Sequence, residues 1–191
     1  MNTQGVILYG PPTSGKDTIT DELTRRESRF LFLPKLKAGF SGPDPGRGHR
    51  LISFMMMEAL ERSGALAVVT NRHRDIYAVD RQGVEDAAAS GRVPVIHMDD
   101  VADLTRLREA VPITWLTVLL WTPREVCAER PAGRGDDTAD RLQAWDETRA
   151  DLGRAGTGVF DLEIRTDEVT AAEAAHQIIT AALPQPPQPA E

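Results

Sequence analysis

The sequence predicts an α/β protein in which a parallel sheet carries helices on both faces. Three observations predict it. Short apolar runs rich in β-forming residues alternate with amphipathic helical stretches, the pattern of parallel strands joined by right-handed crossovers. The first apolar run leads at once into a glycine-rich turn and a helix. Ligands of such sheets sit beyond the carboxyl ends of the strands, and Gly10, Asp99 and Trp121 stand at three of those ends.

Each element has its own warrant. Gly5 to Tyr9 is an apolar run of β-formers and reads as a buried strand. Lys16 to Arg26 reads as a helix, with Ile19 and Leu23 four apart. Residues 30–33 suit a second strand, and residues 38–48, "AGFSGPDPGRG", hold too much glycine and proline for regular structure. Residues 51–62 are helical, and "SGALAVVT" then turns into a strand. Residues 81–90 form an alanine-rich helix with Gly91 as its C-cap. "VPVIHMD" is a strand, followed by a helix with Val101, Leu104, Leu107 and Val111 on one side. "ITWLTVLLW" is the strongest buried-strand candidate, and Pro123 suits the first turn of the next helix. "PAGRGDDT" is a polar loop before a helix at 137–152, with Leu142, Trp145, Arg149 and Leu152 on one stripe. "VFDLEI" is a last strand and residues 169–183 a last helix. "PQPPQPAE", residues 184–191, reads as a disordered tail, and there is no internal repeat.

The bulk properties limit the function. A chain of 191 residues suits one domain with a sizeable core, expected over residues 1–183. A net charge of −7 and a pI of about 5.2 argue against nucleic acid or an anionic membrane as the main partner. Phosphate chemistry must then rest on local basic clusters. Cys127 is the single cysteine, which excludes an internal disulfide and suits a reducing compartment. The first residues lack a basic stretch followed by an apolar one, and no apolar run reaches the roughly 20 residues that span a bilayer. A cytoplasmic protein, monomeric or homodimeric, is expected.

"GVILYGPPTSGKDTIT", residues 5–20, nearly completes the pattern G-x-x-x-x-G-K-[ST]. Gly10, Gly15 and Lys16 are in place. Glycine at both ends lets the backbone curl so that the N–H groups of the turn, Thr13 and Ser14 included, point inward at a phosphate. The helix that follows adds its positive end. Lys16 is placed to bridge the outer phosphates of ATP and to neutralise charge as the bond breaks. Asp17 stands where a magnesium-binding hydroxyl is expected. A carboxylate is also a hard oxygen ligand, so Asp17 and Thr18 are the candidate Mg2+ ligands, Asp17 directly or through water.

Past this loop the chain resembles the guanylate kinase family over most of its length. "DIYAVDRQGVEDAAASGRVPVIHMD", residues 75–99, resembles the family's Tyr-Tyr-Gly segment, alanine-rich helix and strand ending Asp-Ile-Asp. "AERPAGRGDDTADRL", residues 128–142, resembles its arginine- and glycine-bearing lid. "VFDLEIRTDEVTAAEAAHQI" resembles its closing strand, polar loop and last helix. The resemblance implies a three-layer αβα P-loop kinase fold with a five-stranded parallel sheet. It also implies an acceptor-binding region at about residues 34–78 and a lid at about 128–141. Lys16 then matches the P-loop lysine, Tyr77 a tyrosine that touches the acceptor phosphate, and Asp99 an aspartate close to acceptor and metal. Arg130, Arg134 and Arg141 match basic lid positions that close over the triphosphate. Arg165 takes the place of an asparagine near the adenine.

The acceptor side departs from the family. Gly39 and Gly42 fall near its phosphate-clamping arginines, Val68 near its guanine-reading glutamate and Val79 at its hydroxyl. Ala78 replaces a glycine, and His97 replaces the first aspartate of the strand end. A site built to hydrogen-bond a group discriminates by about four to five orders of magnitude, so losing those groups argues against GMP as the acceptor. Lys35, Lys37, Arg47, Arg50, Arg72 and Arg74 bring new positive charge and suit an anionic acceptor, with Lys35, Lys37, Arg74, Tyr77, His97 and Asp99 as candidate contacts. His49, His73 and His97 lack metal-ligand spacing. His97 and Asp99 are a candidate proton acceptor and orienting partner if the acceptor is a hydroxyl. Met55 to Met57 read as helix packing.

These residues support an ATP-dependent phosphotransferase acting on a nucleotide, modified nucleoside or sugar phosphate other than GMP. Lys16, Arg134, Arg141 and Asp99 carry the chemistry. Ribose 1,5-bisphosphate phosphokinase relatives of the family share a Gly-Lys-Asp loop. A kinase of a small-molecule hydroxyl is a second reading. A non-catalytic binding module is a third, and the retained Lys16 argues against it.

Overall fold

The computed structural model describes residues 3–39, 48–72, 75–130 and 137–183, without the side chain of Arg72. Expectations for Gly42, Arg47, His73, Arg74, Arg134 and the 184–191 tail fall outside the described residues.

In chain order, β1 (Gly5–Tyr9) leads through the glycine-rich turn into α1 (Lys16–Arg26). Then come β2 (Phe30–Phe32), β3 (Lys35–Ala38), β4 (His49–Leu51), α2 (Phe54–Arg62), β5 (Leu66–Arg72) and β6 (Asp75–Asp80). The second half holds α3 (Arg81–Ala89), β7 (Val93–Met98), α4 (Val101–Ala110), β8 (Trp115–Trp121) and α5 (Arg124–Glu129). It closes with α6 (Thr138–Ala155), β9 (Leu162–Arg165) and α7 (Ala171–Ala182).

The expected five-stranded sheet is present, in the order β2-β7-β1-β8-β9, and every pairing in it is parallel. Because both faces are covered, its central strands are almost wholly buried and apolar but for His97 in β7 and Thr117 in β8. Alternate residues of β1 feed two cores. Val6 and Leu8 meet Ile19 and Leu23 of α1 and Ile178 of α7. Ile7 and Tyr9 meet Leu104 and Leu107 of α4 on the other face.

The strict alternation of strands and helices fails between β2 and α3. There β3, β4, β5 and β6 form a second, mixed sheet in the order β4-β3-β6-β5. Its β3–β4 pairing is parallel, and the β3–β6 and β5–β6 pairings are antiparallel. Met57 of α2 closes its core against Leu36, Ala38, Leu66 and Ala78. The helix expected from residue 51 begins only at Phe54, because Leu51 pairs with Lys37 in β4 and Ser53 caps α2. Met57 packs as expected, whereas Met55 and Met56 lie exposed. On α6 the buried stripe is Arg141, Trp145 and Thr148, with Arg149 in solvent. Pro123 precedes α5 as its N-cap.

Candidate active site

The loop between β1 and α1 is shaped by steric necessity. A Cβ on Gly10 would come within 2.2 Å of the Leu120 carbonyl oxygen, so only glycine lets the loop leave β1 beside β8. Gly15 has φ +88, and Thr13 takes a left-handed φ of 58. No side chain caps the first turn of α1, whose leading N–H groups point toward the loop. The Thr13 and Ser14 hydroxyl oxygens are buried and have no hydrogen-bond partner among the described residues. Unspent buried polar groups ask for a ligand, and these line one cavity of about 690 Å³. Beneath the loop the Cys127 thiol, fully buried, points at the Pro12 carbonyl 3.5 Å away.

Lys16 enters this cavity from the start of α1. Its ammonium rests on the carbonyl oxygens of Gly10 (2.6 Å) and Pro11 (3.1 Å), and lies 3.8 Å from Asp99 Oδ1. Lys35 of β3 holds the other oxygen, Asp99 Oδ2, at 2.6 Å. The pair of ammonium groups around one carboxylate sets the electrostatics. Burial lowers the Lys16 pKa, opposed by the negative charge of Asp99. At Asp99 burial favours the neutral acid, but Lys35 and Lys16 outweigh it and hold the carboxyl well below its usual range.

His97 does not pair with Asp99. Strand β7 ends at Met98, so the chain turns between the two residues and Asp99 meets the lysines. The imidazole is buried against the Phe32 ring, with 4.8 Å between centroids, and Nε2 lies 2.8 Å from the Thr20 hydroxyl. Nδ1 faces Asp17 Oδ1 at 3.8 Å. Burial, then the charge of Lys16, pushes the His97 pKa down to about 3, so the ring is neutral. Thr18 lines the cavity beside Asp17, and both are exposed.

Two arginines face the loop from the end of α5 and the start of α6. Arg130 donates to the Thr13 carbonyl (2.8 Å) and to the carbonyl and hydroxyl of Thr166 (2.5 and 3.2 Å). It thereby ties the β1–α1 loop to the turn after β9. Arg141 is buried, donating to the Arg130 carbonyl and the Thr138 hydroxyl at 3.1 Å each. Its Nε has no partner among the described residues. Both guanidinium groups line the cavity. Arg165 does not: it forms a fork on Asp167, at 3.0 and 2.7 Å.

From the second sheet, Lys35 and His49 line the cavity. Tyr77 stands behind them, its ring 5.2 Å from that of His49 and under the ammonium groups of Lys35 (6.0 Å) and Lys37 (5.4 Å). Lys37 and the Tyr77 hydroxyl both turn to Asp75, at 2.8 and 3.3 Å. Val68 and Val79 are cross-strand partners in the apolar core. Thr20, His49 and Thr166 are site residues that sequence reading missed. For Thr20 the signal was one helical turn of spacing from Lys16; for Thr166, a position just past the end of β9.

No known family profile matches the chain, and no curated protein matches it. Solved structures do. A guanylate kinase from Anaplasma phagocytophilum superposes with a TM-score of 0.65 at 14% identity, over 94% of this chain and 84% of that one. The fold is that of guanylate kinase-like P-loop kinases. The YorR protein from Bacillus subtilis, solved with phosphorylated GDP, aligns at 14% identity over 92% and 94% of the two chains, with a TM-score of 0.49. Shikimate kinase from Acinetobacter baumannii aligns at 17% identity over 95% and 93%, with a TM-score of 0.45. Those two superpose too loosely to add to the argument. Among the described residues, no helix is long and apolar enough to cross a membrane.

Proposed function

We propose that the protein is a phosphotransferase that moves the γ-phosphate of ATP, with Mg2+, to a small acceptor that already carries a phosphate and is not GMP. The observation that carries this reading is the convergence on one cavity of the uncapped α1 terminus, Lys16, Arg130, Arg141, Lys35 and Asp99. The residues present fit a triphosphate: the loop amides and the unpartnered Thr13 and Ser14 hydroxyls would donate to its oxygens, and Asp17 and Thr18, which line the same cavity, would hold the cation. When bound, Mg2+ supplies positive charge to the phosphate oxygens. Lys16 exchanges the carbonyls of Gly10 and Pro11 for phosphate oxygens and neutralises the moving group. Arg141 offers planar donors in the same space. The lid around Arg134 belongs to the proposal by resemblance.

Asp99 favours a phosphate acceptor over a hydroxyl. A hydroxyl needs a base to take its proton, whereas a phosphate oxygen attacks as it stands. Both Asp99 oxygens face ammonium groups, and neutral, buried His97 meets the Thr20 hydroxyl through Nε2 and turns Nδ1 toward Asp17, so neither is set up as a base for an acceptor hydroxyl. Lys35 and His49 are the acceptor-side contacts, with Tyr77 and Lys37 behind them and Arg74 proposed from the sequence. The test is ADP release with ATP–Mg2+ across nucleoside monophosphates, sugar phosphates, free nucleosides and sugars. Turnover confined to phosphorylated acceptors, with GMP poor, is expected. Turnover on unphosphorylated hydroxyls, or none with any acceptor, overturns it.

A further inference from the structure

The substitution of Asp17 for the usual loop hydroxyl has a partner deeper in the fold. Asp17 opens into the cavity, its side chain 55% exposed, while His97 behind it is 9% exposed. His97 reaches Asp17 from β7, a strand that shares no sequence neighbourhood with the loop. A carboxylate only accepts hydrogen bonds, so a bond from the ring to Asp17 needs the proton on Nδ1. A neutral imidazole then has a bare Nε2, and that atom lies 2.8 Å from the Thr20 hydroxyl, a donor whose other bonds among the described residues are none. Both contacts are compatible with one tautomer: Thr20 O–H to Nε2, and Nδ1–H toward Asp17 Oδ1. The Phe32 ring packs against the imidazole, tilted by 41°. At 3.8 Å, Nδ1 and Oδ1 face each other but are longer apart than a hydrogen bond, so exposed Asp17 has to turn toward the ring for the bond to form. Asp17 and Thr20 lie three apart on α1 and share a face, so one ring spans both.

We propose that His97 is a positioning residue for the cation site: its Nδ1–H holds one oxygen of Asp17 so that the other is presented to a divalent cation. This assignment rests on the nucleotide reading above. It gives a carboxylate in a triphosphate loop a fixed direction, so that its charge falls on the cation and not on the phosphates. Partners that orient a metal ligand are worth about 10–100-fold in metal affinity.

The test titrates Mn2+ into the full chain holding a non-hydrolysable ATP analogue, following free Mn2+ by electron paramagnetic resonance. His97→Asn keeps an amide N–H near the Nδ1 position, and His97→Gln keeps one near Nε2 only. Expected is a loss of about 10–100-fold in Mn2+ affinity for His97→Gln, with His97→Asn close to the native value. Metal-free affinity for the analogue stays unchanged in both. In the unsubstituted protein, imidazole 15N shifts should report a protonated Nδ1 and a bare Nε2, a readout that needs no variant to fold. Native Mn2+ affinity in folded His97→Gln, or a protonated Nε2 in the native ring, overturns the assignment while leaving the nucleotide reading intact. A native chain that binds neither analogue nor Mn2+ overturns that reading and the assignment with it.

Discussion

The Lys16 ammonium is buried among two carbonyl oxygens and one carboxylate that Lys35 already neutralises. A charge in that setting is poorly compensated, and removing it costs little stability. Lys16→Met should therefore melt at or above the native temperature while turnover falls by at least about 100-fold, the scale for losing one transition-state donor. Calorimetry and ADP release on the same sample check both halves; undiminished turnover would remove the phosphate loop from the chemistry. His97 makes a different prediction. Its pKa is pushed down to about 3 by burial first and by Lys16 second, with Lys35, His49 and Asp99 also facing it. The unfolded chain binds the proton near pH 6.5, the native protein only near its lowered value, so stability is full above the unfolded pKa and is lost as pH falls. The metal-free protein should lose up to about 1.4 kcal/mol per pH unit from this group between those limits, and His97→Asn should flatten that limb of a urea-denaturation series.

At the scale of elements, the decisive contact is the exit of the glycine-rich loop from β1 against β8. A methyl group at Gly10 meets the Leu120 carbonyl at 2.2 Å and the Ser14 hydroxyl at 2.8 Å, and backbone cannot step aside as a long side chain can. Gly10→Ala should cost about 1–3 kcal/mol, the range for overpacking, and should weaken ATP binding more than it weakens acceptor binding, measurable by calorimetric titration of each. The loop and the five-stranded sheet were legible because their signals are local: glycine spacing, a lysine, apolar runs long enough to identify. The second sheet was not. "KLKA" and "HRL" carry no period of their own, and they are strands because β3 pairs with β4 and β6 from elsewhere in the chain. The same reason hid the Asp99 environment. Two residues apart on a strand suggests a shared face with His97, but β7 stops at Met98 and a lysine from the other sheet claims the carboxylate. Trp145 illustrates the reverse case, an apolar stripe residue read correctly; its indole N–H also donates to the Thr122 carbonyl at 2.8 Å and fastens α6 to the end of β8.

Over the whole molecule the charge is −7, yet the cavity gathers Lys16, Lys35, Arg130 and Arg141 around Asp99 and Asp17. The anionic substrates proposed above would thus be repelled at long range and drawn in at short range by the local cluster. Raising salt from about 0.05 to 0.5 M shortens the screening length to a few ångströms. KM for the phosphorylated acceptor should rise over that range with kcat changed less, and a KM independent of salt would separate acceptor capture from the cationic cavity. One last feature reaches beyond catalysis. The chain's sole thiol, Cys127, lies sealed under the glycine-rich loop against Pro12. An alkylating reagent can reach it only when that floor lifts, so its labelling rate is a stopwatch on how often the floor opens, and any occupant of the cavity above should slow it.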